Sequence, residues 1–137
     1  MRRPRLLVVD DHDVLRQALA ELLVQAGFDV VGEAGDGADA VAVAKRLHPD
    51  VVLLDLRMPV LSGLDAAPLI REACPDTQVV LLSAFESPAL EQQALDAGCF
   101  AYLVKGGPAG DLRLVLHQAV ASRRALLAPP GSPAVEA

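Results

Sequence analysis

A chain of 137 residues is short enough for one domain, yet long enough to bury a core without disulfide or metal staples. Apolar residues make up 53 % and aromatic residues only 3 %, so the core must be built from Leu, Val and Ala, with no aromatic platform for stacking nucleic-acid bases. The net charge of −6 opposes binding of a nucleic-acid backbone by this segment, and no apolar run reaches membrane-span length or forms a signal peptide.

Read in chain order, Leu6-Leu-Val-Val9 is a short apolar run ending in Asp10-Asp11, the pattern of a buried first strand. From Val14 the period changes, and Leu15, Ala18, Leu19, Leu22 and Ala26 fall on one helical face that Gly27 closes. Phe28 to Ala34 is a second strand, Gly35-Asp-Gly37 a turn, and Ala38 to Leu47 a helix ended by His48-Pro49. Residues 50–55 form a Val/Leu run that ends in Asp55, as a strand buried on both faces would. A loop over Arg57–Gly63 leads to a third helix ending near Cys74-Pro75. Pro68 requires that helix either to start late or to kink. Gln78 to Ser83 is a fourth strand, and Ser87-Pro88 caps and opens a helix to Ala97-Gly98. Cys99 to Val104 is a fifth strand with Lys105 at its end, and Leu112, Val115, Leu116, Ala119 and Val120 mark one face of a last helix. The Pro-rich residues 128–137 read as a disordered tail or the start of a linker beyond a domain over 1–127. Cys74 and Cys99 lack CxxC spacing and fit reduced, partly buried thiols of a cytoplasmic protein.

Strands alternating with helices specify a doubly wound parallel sheet, in either the Rossmann or the flavodoxin-like order. In both orders the carboxyl ends of the strands gather at one edge, bringing together Asp10, Asp11, Asp55, Ser83 and Lys105. Any one of these residues alone would pass for a cap, a turn or a surface charge. Their joint placement on four of five strands is what points to chemistry. Clustered carboxylates want a cation, and an all-oxygen set suits Mg²⁺. Aspartate can serve as a nucleophile toward phosphorus, while lysine and serine can hold phosphoryl oxygens. Asp13, Asp65, Asp76 and Asp96 are assigned to caps and turns, and His12, His48 and His117 to surface or loop roles because they lack metal spacing. The acidic first loop, which has no glycine-rich phosphate cradle, disfavours a nucleotide site.

These residues resemble the receiver domain of two-component response regulators. The likeness covers roughly residues 5–127. It rests on Val-Val-Asp10-Asp11-His12, on Leu-Leu-Asp55-Leu-Arg-Met58-Pro59 with Gly63, on Leu-Ser83-Ala84, and on Tyr102-Leu-Val-Lys105. His12 and the non-proline after Lys105 are similar to the NarL/LuxR-type subfamily. The resemblance implies the flavodoxin-like (CheY-like) order 2-1-3-4-5 and phosphoryl transfer to Asp55 from a histidine kinase. It implies Mg²⁺ held by Asp11, Asp55 and the Arg57 backbone carbonyl, with Asp10 acting through water. It also implies phosphoryl contacts from Ser83 and Lys105, and a switch in which Ser83 moves and Tyr102 turns inward. Such a domain is a switch with only self-directed chemistry. An aspartate phosphohydrolase would need a second acid where Arg57 stands, and a phosphorylation-independent interaction module usually lacks the acidic pair or the lysine. Members of the subfamily usually carry a C-terminal helix-turn-helix domain. The expected setting is therefore the N-terminal part of a DNA-binding transcriptional regulator, with a stand-alone regulator acting through protein contacts as the alternative. Further expectations are that Phe85 shields the phosphoryl group from water, that Gly106 in the place of proline alters the loop after Lys105, and that Arg113, Arg123 and Arg124 pair across a homodimer formed on phosphorylation.

Overall fold

The computed structural model describes residues 2–127, apart from the side chains of 109 and 124–127, and the expected tail over 128–137 lies outside it. Five strands alternate with five helices: β1 (Arg5–Val9), α1 (Asp13–Gln25), β2 (Asp29–Ala34), α2 (Gly37–Leu47), β3 (Val51–Asp55), α3 (Gly63–Ala73), β4 (Gln78–Ser83), α4 (Pro88–Asp96), β5 (Ala101–Val104) and α5 (Ala109–Leu127). All pairings are parallel, in the order β2-β1-β3-β4-β5, so the flavodoxin-like arrangement is the one adopted.

The unbroken apolar runs have a direct cause. Leu7, Val9, Val52, Leu54, Val79 and Leu81 pack on one face of the sheet with α2 and α3. Leu6, Val8, Val51, Leu53, Val80 and Leu82 pack on the other with α1 and α5. Alternate residues of β1, β3 and β4 thus enter opposite cores, and the interior positions of these three strands are all apolar. The register sets β1 and β3 flush, with Val9 opposite Leu54, so Asp10 and Asp55 come level one residue later.

Local signals explain most boundaries. The Ser62 hydroxyl accepts the Asp65 amide at 3.2 Å and donates to its carboxylate at 3.1 Å, a reciprocal cap at the start of α3. Ser87 accepts the Leu90 amide at 3.2 Å, with Pro88 opening α4. At Gly63 a Cβ would collide with the backbone carbonyl of Asp55 and approach Leu81 Cδ1 at 2.9 Å, so only glycine lets α3 begin directly beneath the end of β3.

Two expectations change. The third helix does not start late. It runs from Gly63 to Ala73 with Pro68 in its interior. Pro68 itself is exposed, so its ring does not displace core packing, and the helix continues through it with the loss of one backbone hydrogen bond. The fifth strand starts at Ala101 rather than Cys99, because the Cys99 amide is taken by the Ala94 carbonyl at 3.0 Å in closing α4. Within the chain, the Arg123 guanidinium meets the Asp50 carboxylate at 3.0 Å. The Arg124 side chain falls outside the description. Among the described residues no helix is long and apolar enough to cross a membrane.

Candidate functional site

Buried polar side chains are few, and three of them, Asp10, Asp55 and Ser83, stand at the carboxyl edge of the sheet. The β1 end supplies Asp10 and Asp11, the β3 end Asp55, the β4 end Ser83, and the residue after β5 Lys105. Lys105 Nζ bridges the two buried carboxylates, at 3.2 Å from Asp10 Oδ2 and 3.1 Å from Asp55 Oδ1. Its backbone is fixed by the Lys105 amide donating to the Ser83 carbonyl at 2.6 Å. Gly106, next in the chain, takes the left-handed φ of 80° that turns the loop toward α5. Asp10 is held from behind, its carbonyl accepting Arg16 Nη1 at 2.8 Å.

Burial pushes the Asp55 carboxyl above its ordinary range. Lys105 opposes that shift, while Asp10 and Asp11 add to it. Burial alone would depress the Lys105 ammonium, but the hydrogen bonds and charges of Asp55 and Asp10 outweigh it and hold the lysine above its usual value. Attraction to one lysine therefore leaves the pocket short of positive charge. Asp10, Asp11, His12 and Asp55 each offer a ligand atom, all within 4.8 Å of one another. The Arg57 carbonyl, two residues past Asp55, accepts no protein hydrogen bond among the described residues. Carboxylates and a free carbonyl around an under-compensated pocket match what a hard divalent cation such as Mg²⁺ requires.

The fold thus brings together Asp10, Asp11, Asp55 and Lys105. Ser83 stands apart from them in its bonding. Its hydroxyl oxygen accepts the Phe85 amide at 3.2 Å. The Phe85 carbonyl in turn accepts the Tyr102 hydroxyl at 2.5 Å, and the Arg57 guanidinium lies 5.3 Å from the centre of the Phe85 ring. Phe85 is 55 % exposed, so its ring has a wet side as well as the cation.

Two features of the site were missed by sequence reasoning. His12, assigned there to a surface or loop role, reaches both acids, with Nδ1 at 3.1 Å from Asp11 Oδ1 and 3.3 Å from Asp10 Oδ1. Its adjacency to the acidic pair was the available signal. The position of Phe85 as a junction between Ser83, Tyr102 and Arg57 had no sequence signal, because it depends on how two loops fold toward each other. His48 closes α2 at φ 46°, and His117 stacks on Phe28 at 4.5 Å, both away from the site.

A doubly wound sheet with an acidic pair, a third aspartate and a lysine at its carboxyl edge is the arrangement that comparison with known proteins identifies. The response regulator receiver domain family matches residues 6–117, and the chain belongs to that family. The chain is 40 % identical over 126 residues to the transcriptional regulatory protein PdtaR of Mycobacterium tuberculosis, covering 90 % of this chain and 60 % of that one. It therefore spans little more than half the length of such curated relatives, the figure being 56 % for the response regulator GacA of Pseudomonas aeruginosa. Among solved structures, the signal receiver domain of a NarL response regulator from M. tuberculosis superimposes with a TM-score of 0.81 at 35 % identity, covering 88 % of this chain and 98 % of that one. CheY in the CheX-CheY-BeF3-Mg complex from Borrelia burgdorferi matches with a TM-score of 0.74 at 28 % identity, covering 86 % and 87 %. The likeness to the NarL/LuxR type is upheld by these neighbours.

Proposed function

We propose that Asp55 accepts a phosphoryl group from a histidine kinase and that the charge so gained switches the domain between two packings. The observation that carries this reading is the Asp55 carboxylate, nearly buried yet set 3.1 Å from a lysine and beside an acidic pair. Asp11, Asp55 and the Arg57 carbonyl would hold Mg²⁺, with Asp10 behind them. When bound, the ion supplies the positive charge that lets the carboxylates and phosphoryl oxygens sit close together. In the transfer, an Asp55 oxygen forms the new bond to phosphorus as the bond to the kinase histidine nitrogen breaks. Lys105 keeps the acceptor ionised and then binds a phosphoryl oxygen. Ser83 gives up the Phe85 amide and donates its hydroxyl proton to a phosphoryl oxygen, and that exchange loosens the loop whose carbonyl holds the Tyr102 hydroxyl.

Exposed apolar side chains around the site support docking of a kinase helix. Val14 and Leu15 open α1, Val60 lies in the β3–α3 loop, and Val104 ends β5. A mostly apolar groove of about 470 Å³, lined by Leu15, Leu19, Leu22, Leu103 and Leu112, runs between α1 and α5 next to Lys105. PdtaR is a transcriptional regulatory protein of which this chain spans 60 %, and that likeness favours a cytoplasmic transcriptional regulator as the parent. In that setting DNA is contacted by another domain and not by this acidic segment.

The test is to add Mg²⁺ and beryllofluoride to wild type and to Asp55→Asn, following thermal melting and sedimentation. Stabilisation in wild type alone is expected, and equal responses in both would sink the assignment of Asp55. Dimer formation in the same runs would place an output surface on the isolated domain. Phe85 is read as a shield against water. Phe85→Ala should shorten the lifetime of the acyl phosphate several-fold in a decay assay, and an unchanged lifetime would remove it from that role.

A further inference from the structure

Arg57 is exposed and makes no ion pair within 4.0 Å among the described residues, although it lies two positions past the acceptor in an acidic pocket. Its guanidinium rests over the Phe85 ring, 5.3 Å from the centroid. We infer that the Arg57 side chain is a conditional second cation of the phosphoryl site, parked on Phe85 in the resting protein and transferred to the phosphoryl oxygens when Asp55 carries them. This rests on the reading of Asp55 as phosphoacceptor and assigns the side chain a role separate from that of its backbone carbonyl.

Reach and charge both favour the transfer. Two residues of extended chain span at most about 7 Å, so Arg57 can turn from the ring toward the group on Asp55 by side-chain rotation alone. In the resting site the Asp55 carboxylate is 5 % exposed, carries one charge and already shares Lys105 with Asp10. To approach it, Arg57 would have to give up water for a partner that is already engaged. A phosphoryl group adds a second charge and further acceptor oxygens, projecting from the acid toward solvent. Lys105 must serve Asp10 as well as a phosphoryl oxygen. Even beside a divalent cation, Asp10, Asp11 and a dianion leave the pocket negative. A planar guanidinium meets such oxygens with two parallel bonds, which a compact ammonium cannot do.

The parking place sets the balance. A cation over an exposed ring gains about two- to fivefold in an equilibrium constant, and a charge-assisted hydrogen bond roughly tenfold or more. The ring therefore loses to the phosphoryl group but not to water. Phe85 is also the residue whose amide occupies the Ser83 hydroxyl and whose carbonyl holds the Tyr102 hydroxyl. Departure of Arg57 removes one of three ties on that residue at the moment Ser83 is drawn toward the phosphoryl oxygens.

Titration calorimetry of beryllofluoride into the Mg²⁺-saturated protein tests this, with circular dichroism confirming that each variant is folded. Arg57→Ala should weaken binding about tenfold, and Arg57→Lys should recover part of the loss, since a point charge replaces half of the fork. Phe85→Leu keeps apolar cover but abolishes the parking place. It should tighten binding by about two- to fivefold, and this gain should vanish when Arg57→Ala is also present. A merely structural role for the pair would weaken binding in both single variants, and that result overturns the inference. So does an Arg57→Ala affinity within twofold of wild type. Failure of the wild type to bind at all would instead overturn the reading of Asp55, on which this one stands.

Discussion

Asp55 carries an electrostatic cost that the resting fold does not remove. Its carboxyl is raised above the ordinary value of 3.8, first because it is buried and only in part restrained by Lys105. A raised acid means that the folded state holds its proton more tightly than the unfolded chain does. Stability from this group is then complete below the ordinary pKa and is lost as pH rises through the folded one. Asp55→Asn, which removes the charge and keeps the shape, should therefore be more stable than wild type in metal-free buffer at pH 7. The advantage should shrink as pH falls through the raised pKa of the folded acid and be gone below about 4, where the acid is protonated in the folded and unfolded chain alike. Lys105 retains Asp10 in the variant. Urea midpoints at pH 7 and pH 4 with a chelator present would check this, and a variant less stable at pH 7 would contradict it. The residue was legible in the sequence because a strand buried on both faces admits no carboxylate except at its end. Asp10 was legible for the same reason, and Lys105 from its place at the end of the fifth apolar run. The contacts of His12 with the acids and of Phe85 with Tyr102 and Arg57 were not, since they are set by loop geometry and not by strand period.

At the scale of elements, periodicity located the strands and helices, and the capping residues Ser62 and Ser87 do what their chemistry implies. The order of strands was left open between two arrangements by alternation alone, because both satisfy right-handed crossovers. Resemblance to a family selected the one found. Pro68 was the point of conflict. A proline six positions into a helix forfeits one backbone bond, and the sequence does not reveal whether the freed carbonyl faces water or core. Here Pro68 is exposed and the helix runs on from Gly63 to Ala73, so the cost is a local penalty and not a break. Pro68→Ala should restore the bond from the new amide to the Leu64 carbonyl and remove the ring clash. It is expected to raise stability by about 1–3 kcal/mol, less whatever rigidity proline lent the unfolded chain. Guanidinium unfolding with an unchanged m value would measure it. A loss of stability would mean that the ring makes contacts on α3 outweighing the missing hydrogen bond.

The two edges of the sheet divide the labour of the whole molecule. The carboxyl edge concentrates unbalanced charge for use, while the amino edge spends its charges on closure. There Asp50, just before β3, accepts the Arg5 amide at 2.8 Å with one carboxylate oxygen and meets the Arg123 guanidinium at 3.0 Å with the other. One side chain thus ties the first strand, the central strand and the last turns of α5. Arg123 is 24 % exposed, and its Nε is buried with no hydrogen-bond partner, so Asp50 carries most of the compensation for a partly buried cation. Asp50→Ala should cost about 1–3 kcal/mol, the penalty for leaving a charged donor and a backbone amide unmatched. Because the pair lies at the far edge from Asp55, the loss should appear without any change in beryllofluoride affinity. It should be concentrated in the end of α5, where amide hydrogen exchange is expected to speed up before the central strands respond. Uniform acceleration across the sheet would show that Asp50 supports the global fold and not the seating of α5.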